Sequence, residues 1–283
     1  MTGAAVSYPG STRMTRQRMA GRSGARTNGL TVFEVSVQIL ALLVLAGFVA
    51  GFVDSIAGGG GLITVPVLLL AGAGPLEALA TNKLQGTFGS ATAALTYARA
   101  GRVTLRDQAG MAGIAVLAGA AGAGVAHLVP ETALRVVMPV VLVGVAAFFA
   151  FKRGLSDADR VERMRPAVFA VTLVPAIAAY DGLLGPGTGS FYMLGFVLLA
   201  GFGVLKATAH TKLLNFASNL GSLVVFVGSG AVWWGVGFAM AAGQTAGAAV
   251  GARVALRVGV RVIRPLLVVT SGALALRLLW QVL

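Results

Sequence analysis

Ten apolar stretches, most of them close to the ~20 residues that a membrane-spanning helix needs, follow one another along the chain with short polar joints between them. They run at about 35–56, 61–73, 77–98, 108–128, 134–151, 166–184, 189–203, 207–228, 232–256 and 263–282. A soluble domain is excluded by what covers its surface. Only 11% of the 283 residues are charged and nine are acidic, whereas a soluble protein carries roughly a quarter charged residues. Forty glycines suit membrane helices, where small residues let backbones approach closely. The expected class is all-α: a polytopic integral protein, multi-pass in the cell membrane.

The net charge of +13 raises nucleic acid as a partner, but the basic residues sit in a tail and in short joints, the pattern of the positive-inside rule. No nucleic acid is expected. With no cysteine and two distant histidines (His127 and His210), neither a metal site nor a cofactor is expected. Residues 1–30 hold Arg13, Arg16, Arg18, Arg22 and Arg26 without an acid and read as a disordered basic tail. Its composition resembles a transit peptide, yet the apolar stretch from Val35 to Val53 is longer than a signal core and reads as a first membrane helix. Met14 and Met19 are alternative starts.

The rest divides into a first membrane repeat at 31–151, a charged linker at 152–165 and a second repeat at 166–283. Two motifs recur in order. Asp54-Ser55-Ile56-Ala57 leading into Gly58–Gly61 matches Asp181-Gly182-Leu183-Leu184 leading into Gly185-Pro186-Gly187-Thr188-Gly189. Ala80-Thr81-Asn82-Lys83-Leu84-Gln85 matches Ala209-His210-Thr211-Lys212-Leu213-Leu214-Asn215. Both matches share one offset of about 128 residues, the mark of a duplication.

Charges in the joints indicate how the halves are related. In the first half the joint after segment three is basic (Arg99, Arg102, Arg106) and the one after segment four holds Glu131. In the second half the joint after segment eight is uncharged and the one after segment nine is basic (Arg253, Arg257, Arg261, Arg264). The switch predicts two inverted repeats of about five segments, with the basic joints and the linker cytoplasmic. It also puts the N-terminus outside, against the arginines of the tail.

A glycine run within hydrocarbon admits two readings. One is close packing of helices through small residues. The other is a broken helix lining a polar cavity, whose half-helix N-terminus offers free N–H groups to an anion. Segments two and seven, both short, follow the two runs, and such paired interruptions point to a transporter site. Lys83 and Lys212 either snorkel to the interface or face a lined pathway. Asn82, Gln85 and Gly89 share one helical face, as do Lys212, Asn215 and Asn219. Asp54 and Asp181 read as caps of the short helices, as partners of the lysine in their own half, or as protonation sites. The candidate substrate site is therefore Gly59, Gly60, Gly61, Asn82, Lys83, Gln85, Gly187, Thr188, Gly189, Thr211, Lys212 and Asn215, with Asp54 and Asp181 as candidate proton-coupling residues. Gln244 is a further candidate donor. Tyr97, Trp233, Trp234 and Trp280 fall at segment ends and are expected to anchor at the interface.

The stretch from Gly51 to Pro66, with its glycine run leading into Leu62-Ile63-Thr64-Val65-Pro66, resembles the sulfite exporter TauE/SafE family of membrane transporters. The resemblance continues through Ala78–Lys83 and Gly101-Arg102-Val103, and covers roughly residues 35–283. It implies a duplicated all-helical architecture and sulfur-containing anions such as sulfite, sulfoacetate or thiosulfate-like species as substrates. Pro186 and His210 depart from a strictly symmetric site.

The function these features support is secondary transport of a small anion, the sulfur oxyanion being the leading candidate. An intramembrane enzyme would want a nucleophile with a base, a zinc motif or paired catalytic carboxylates, and a channel-like subunit of a larger complex is the other alternative. The partners expected are the anion and the lipid bilayer, with a homodimer left open.

Overall fold

A computed structural model describes residues 36–134, 136, 137, 140, 144 and 161–259, which all lie in one unit, Phe33–Leu283. The basic tail, most of the fifth segment, the tenth segment, the linker through residue 160 and Trp280 fall outside the described residues.

Eight helices are described. They are α1 (Val37–Ala57), α2 (Gly61–Leu70), α3 (Pro75–Arg99), α4 (Ala109–Leu128), α5 (Pro166–Leu183), α6 (Thr188–Leu198), α7 (Val204–Ser229) and α8 (Trp234–Val258). No strand occurs among the described residues. α1, α4 and α5 are long and apolar enough to cross a membrane, whereas α2 and α6 have only 10 and 11 residues. The all-helical membrane class stands.

Local sequence accounts for the boundaries. Ser36 caps α1 by accepting the Ile39 N–H at 3.3 Å. α3 opens with Pro75, whose fixed φ suits a first turn, while the Glu77 carboxylate accepts the Gly74 N–H at 2.8 Å. α1 stops because Gly58 and Gly59 turn to φ values of 80° and 93°, and α5 is followed by Gly185 and Gly187, both at 86°. A side chain at any of these four would be strained.

Apolar side chains fall into two clusters, one at each end of the molecule. The first joins Ile56, Tyr97, Val103, Phe169, Val204 and Ala252. The second joins Leu43, Leu68, Leu79, Ala126, Phe226 and Val236. Each helix can be oriented by which of its ends enters which cluster. α1, α3 and α8 run from the second cluster to the first; α4 and α7 run the other way. α2 heads from the middle into the second cluster, through Val65 and Leu68, and α6 from the middle into the first, through Met193 and Val197. Arg99, Arg253 and Arg257 therefore share one end.

α1 and α8 are the closest pair, parallel and in contact backbone to backbone. A Cβ at Gly47 or Gly51 would run into the carbonyls of Met240 and Gln244. One at Gly243, Gly247 or Gly251 would run into those of Val44, Phe48 and Phe52. The four-residue spacing on both helices makes this a small-residue seam. α4 is seated likewise, through Gly119 and Gly122, on α5 and α7.

Two aromatic residues depart from the interface role. Tyr97 is fully buried and its hydroxyl donates to the Ser55 carbonyl at 2.9 Å, tying α3 to the end of α1. Trp233 is buried, with its backbone N–H donated to Thr81 Oγ1 at 3.0 Å. Both side chains are enclosed by the protein although the ends of their segments, such as Arg99 and Ala100, are exposed, which position along the segment could not reveal.

Candidate functional site

The two glycine breaks touch. Gly58 lies so close to Gly189 and Ser190 that no Cβ fits between them, and Gly61 faces the Cα of Pro186. Ser190 Oγ donates to the Ala57 carbonyl at 2.9 Å, joining the start of α6 to the end of α1. α2 and α6 leave this point in opposite directions, so their N-termini, each carrying the positive end of a helix dipole, are brought together at the centre. In α2, the N–H groups of Leu62, Ile63 and Thr64 bond back to Gly59 and Gly60; in α6, those of Ser190 and Phe191 bond back to Gly187. The N–H groups of Gly61 and Gly189 have no hydrogen-bond partner among the described residues. Buried unpaired backbone donors cost about 1–3 kcal/mol each unless a ligand or water takes them.

A polar cavity lies at this junction, about 330 Å³ between atoms, with about 20 Å³ able to hold the centre of a water molecule. By volume it is a tight chamber, in the range of one or two waters. Of the residues singled out from the sequence, Gly59, Gly60, Gly61, Asn82, Gly187, Thr188, Gly189 and Asn215 line it, together with Asp54 and Asp181. Four do not. Lys83 and Lys212 are completely buried behind it, and Gln85 and Thr211 are buried elsewhere on their helices.

Asn82, one residue before Lys83, and Asn215, three residues after Lys212, are not matching positions of the repeat, yet they are oriented alike. Asn82 Oδ1 accepts from Thr64 Oγ1 at 2.6 Å, and Asn215 Oδ1 accepts from the Asn219 amide at 3.3 Å. In each the Nδ2 group is left to the cavity, alongside the glycine N–H groups. Donors thus converge from both half-helices and from both polar helices, α3 and α7.

The ion pairs cross between halves. Lys83 Nζ lies 2.7 Å from Asp181 Oδ1, and Lys212 Nζ lies 3.4 Å from Asp54 Oδ2 while also donating to the Asp54 carbonyl. Pairing of each aspartate with the lysine of its own half is thereby corrected. The reason is the packing: each of α3 and α7 passes the broken end of the opposite half, so its lysine meets that half's aspartate. The capping reading holds for Asp54, whose Oδ1 accepts the Gly60 N–H at 3.2 Å. Asp181 instead receives the Ser218 hydroxyl at 2.6 Å. All four carboxylate oxygens are engaged, and no group of three or more metal-ligating side chains occurs among the described residues.

Electrostatically, then, the cavity wall is made of dipoles and neutralised pairs. The carboxylates stand in the lining and the ammonium groups behind them. Gly86, Gly185, Asn219 and Gln244 also line the cavity. The four-residue step from Asn82 to Gly86 and from Asn215 to Asn219 is the signal that places the first and third of these on the lining face. A separate, wider cavity, in which about 630 Å³ can hold the centre of a water molecule against about 20 Å³ in the central one, includes Glu77, His127 and Glu131, at the end opposite the arginines.

Comparison with known proteins gives a consistent set of likenesses. A family model described as sulfite exporter TauE/SafE matches residues 43–278. The chain is 54% identical over 246 residues to the probable membrane transporter protein ORF9 of a Sinorhizobium species, covering 87% of this chain and 94% of that protein. It is 41% identical over 251 residues to the probable membrane transporter protein YfcA of Escherichia coli K12, covering 89% and 93%. A probable membrane transporter protein of Haemophilus influenzae is 38% identical over 248 residues, covering 88% and 97%. No solved structure matches.

Proposed function

We propose, on the premise that this chain belongs to the TauE/SafE family of membrane transporters, that it is a secondary transporter of a small anion, a sulfur oxyanion such as sulfite, bound between the two glycine breaks. The observation that carries this reading is the meeting of two half-helix N-termini at one buried cavity. Unpaired N–H groups in a membrane interior call for a partner, and a negatively charged oxygen is the partner that helix N-termini favour. Gly59–Gly61, Gly187–Gly189, Asn82 and Asn215 contact the anion in this reading. Gln85 and Thr211 support the walls of the two polar helices from behind.

The two halves are inverted repeats. α5, α6, α7 and α8 each run opposite to α1, α2, α3 and α4, as their places in the two apolar clusters support. Such a pair can rock about a fixed central site and open it to either side in turn. The end carrying Arg99, Arg102, Arg253 and Arg257 faces the cytoplasm by the positive-inside rule.

Lys83 and Lys212 act through Asp181 and Asp54. When these carboxylates are ionised they hold the lysines, and the field at the cavity is balanced. When they take up a proton the ammonium charge is uncovered and the anion is held more firmly. Anion and proton then move together, by symport or an equivalent exchange. Flux of labelled sulfite into proteoliposomes, with and without an imposed proton gradient, tests the reading. Uptake that saturates and responds to the gradient is expected; absence of any oxyanion flux or binding would overturn it.

A further inference from the structure

One side chain in the central cavity is not used by the donor cage. Gln244 projects from the middle of α8 into the cavity, is 3% exposed, and makes no side-chain hydrogen bond among the described residues, its Oε1 being wholly enclosed. Amide oxygen and nitrogen can exchange places by a half-turn of the last bond. What matters is that a donor and an acceptor stand side by side, both unsatisfied. A second acceptor lies on the same wall. Asn219 gives its NH₂ to the Asn215 carbonyl at 2.7 Å, which leaves its Oδ1 open beside Gly86.

We propose that the cavity takes its oxyanion with one proton still attached, as a hydrogen oxyanion of the hydrogensulfite kind, and that Gln244 is the residue that reads this O–H. The inference rests on the proposed function and narrows its substrate to one protonation state. A fully ionised oxyanion carries acceptors only. It would satisfy Gly61, Gly189, Asn82 and Asn215, but in either setting of the Gln244 amide it has no donor for that residue's oxygen or for Asn219 Oδ1. A singly protonated one satisfies both kinds of wall. With both carboxylates ionised no internal donor competes, because the oxygens of Asp54 and Asp181 accept from Gly60, Lys212, Lys83 and Ser218. Charge favours the same form: with both pairs ionised each lysine is cancelled by an aspartate and a single negative charge is less costly to bury there than two, and one carboxylate taking up a proton uncovers one ammonium, which a single negative charge matches.

Gln244 also stands outside the duplication. The matching stretch of α4, at residues 112–116, is Ala-Gly-Ile-Ala-Val and has no polar side chain. A symmetric anion cage does not need this amide, so its presence on one wall calls for its own explanation. The titratable groups around it are Asp54 on α1 and Asp181 on α5, which line the cavity, with Lys83 and Lys212 behind them. Glu77 and Arg99 lie at the two ends of α3, and Arg253 and Arg257 in the last turns of α8.

The test is binding of labelled sulfite to the full-length protein across the pH range in which hydrogensulfite gives way to sulfite, with sulfate as a competitor that stays doubly charged. Wild-type affinity should follow the hydrogensulfite fraction, and sulfate should compete poorly. Gln244→Met, of matching length without the amide, should bind about tenfold more weakly, the loss of one hydrogen bond to a charged ligand. It should lose the preference for the protonated form while its melting temperature holds or rises, since no unsatisfied amide remains. Gln244→Glu, whose acid form offers the same donor and acceptor, should keep binding at the acidic end. Wild-type affinity that follows the dianion overturns the proposal, as does a Gln244→Met variant that binds with unchanged strength and pH course. In those cases oxyanion binding by the wild type leaves the transport reading standing. A wild type that binds neither form removes both.

Discussion

Lys83 and Asp181 are 98 residues apart in the chain and 2.7 Å apart in the fold, both sealed from solvent. With its counterpart, Lys212 and Asp54, this pair fastens the first half of the molecule to the second at the level of the cavity. A buried pair is weak evidence of net stability, but removing one partner strands the other as an uncompensated charge. Lys83→Met and Asp181→Asn should each cost about 3–5 kcal/mol, and the double variant should recover much of that. A double-mutant cycle on unfolding in detergent should show strong coupling for Lys83 with Asp181 and for Lys212 with Asp54. Coupling of Lys83 with Asp54 should be small.

The seam between α1 and α8 makes a second prediction. Gly247→Ala places a methyl group against the Phe48 carbonyl, and the two backbones must separate. Overpacking of this kind costs about 1–3 kcal/mol, so the variant should melt lower and accumulate less. Gly124→Ala, with nothing within 4 Å of the added Cβ, should be neutral or slightly stabilising, because alanine is the better helix former.

At the cavity, space and backbone conformation can be separated. Gly61→Ala meets the Asn82 amide and Pro186 at 3.4 Å, an ordinary contact, with no left-handed φ to strain it. It should fold as wild type and transport more slowly, since the methyl group takes room from a tight chamber. Gly187→Ala must hold φ near 86° and should lose about 1–2 kcal/mol of stability as well. Parallel melting curves and flux assays distinguish the two.

Much of this site is legible from the sequence because glycines and charges are conspicuous in apolar runs. Gly58–Gly61, Gly185–Gly189, Lys83 and Lys212 stand out for that reason, and the recurrence of acid, glycine break and lysine marks them as one constellation. Which lysine meets which aspartate is not legible. A duplication suggests pairing within each half, and only the packing of α3 and α7 past the opposite break shows that the pairs are exchanged. Distance from the cavity is hidden in the same way. Lys212 and Asn215 share one helical face and look equivalent in the sequence, yet Asn215 lines the cavity and Lys212 is buried behind it. Tyr97 and Trp233 mislead for a related reason: an aromatic residue near a segment end reads as an interface anchor until tertiary contacts enclose it.

Proton coupling through the acids gives a fourth prediction. Asp54→Asn and Asp181→Asn carry no ionisable proton, so flux through either should lose the wild-type response to a proton gradient. Asp54→Asn can still cap Gly60 through its amide oxygen and should fold more nearly as wild type than Asp54→Ala. Both asparagine variants retaining wild-type flux and pH dependence would reduce the acids to structural roles.

The central claim is that an oxyanion sits between the opposed N-termini of α2 and α6. Crystals soaked in selenite, the selenium counterpart of sulfite, and measured at the selenium edge test it most directly. The account predicts one anomalous peak in the central cavity, with the anion's oxygens about 3 Å from the N–H groups of Gly61 and Gly189. A peak only at the arginine-bearing end, or an empty cavity in crystals of protein that binds selenite, would contradict it.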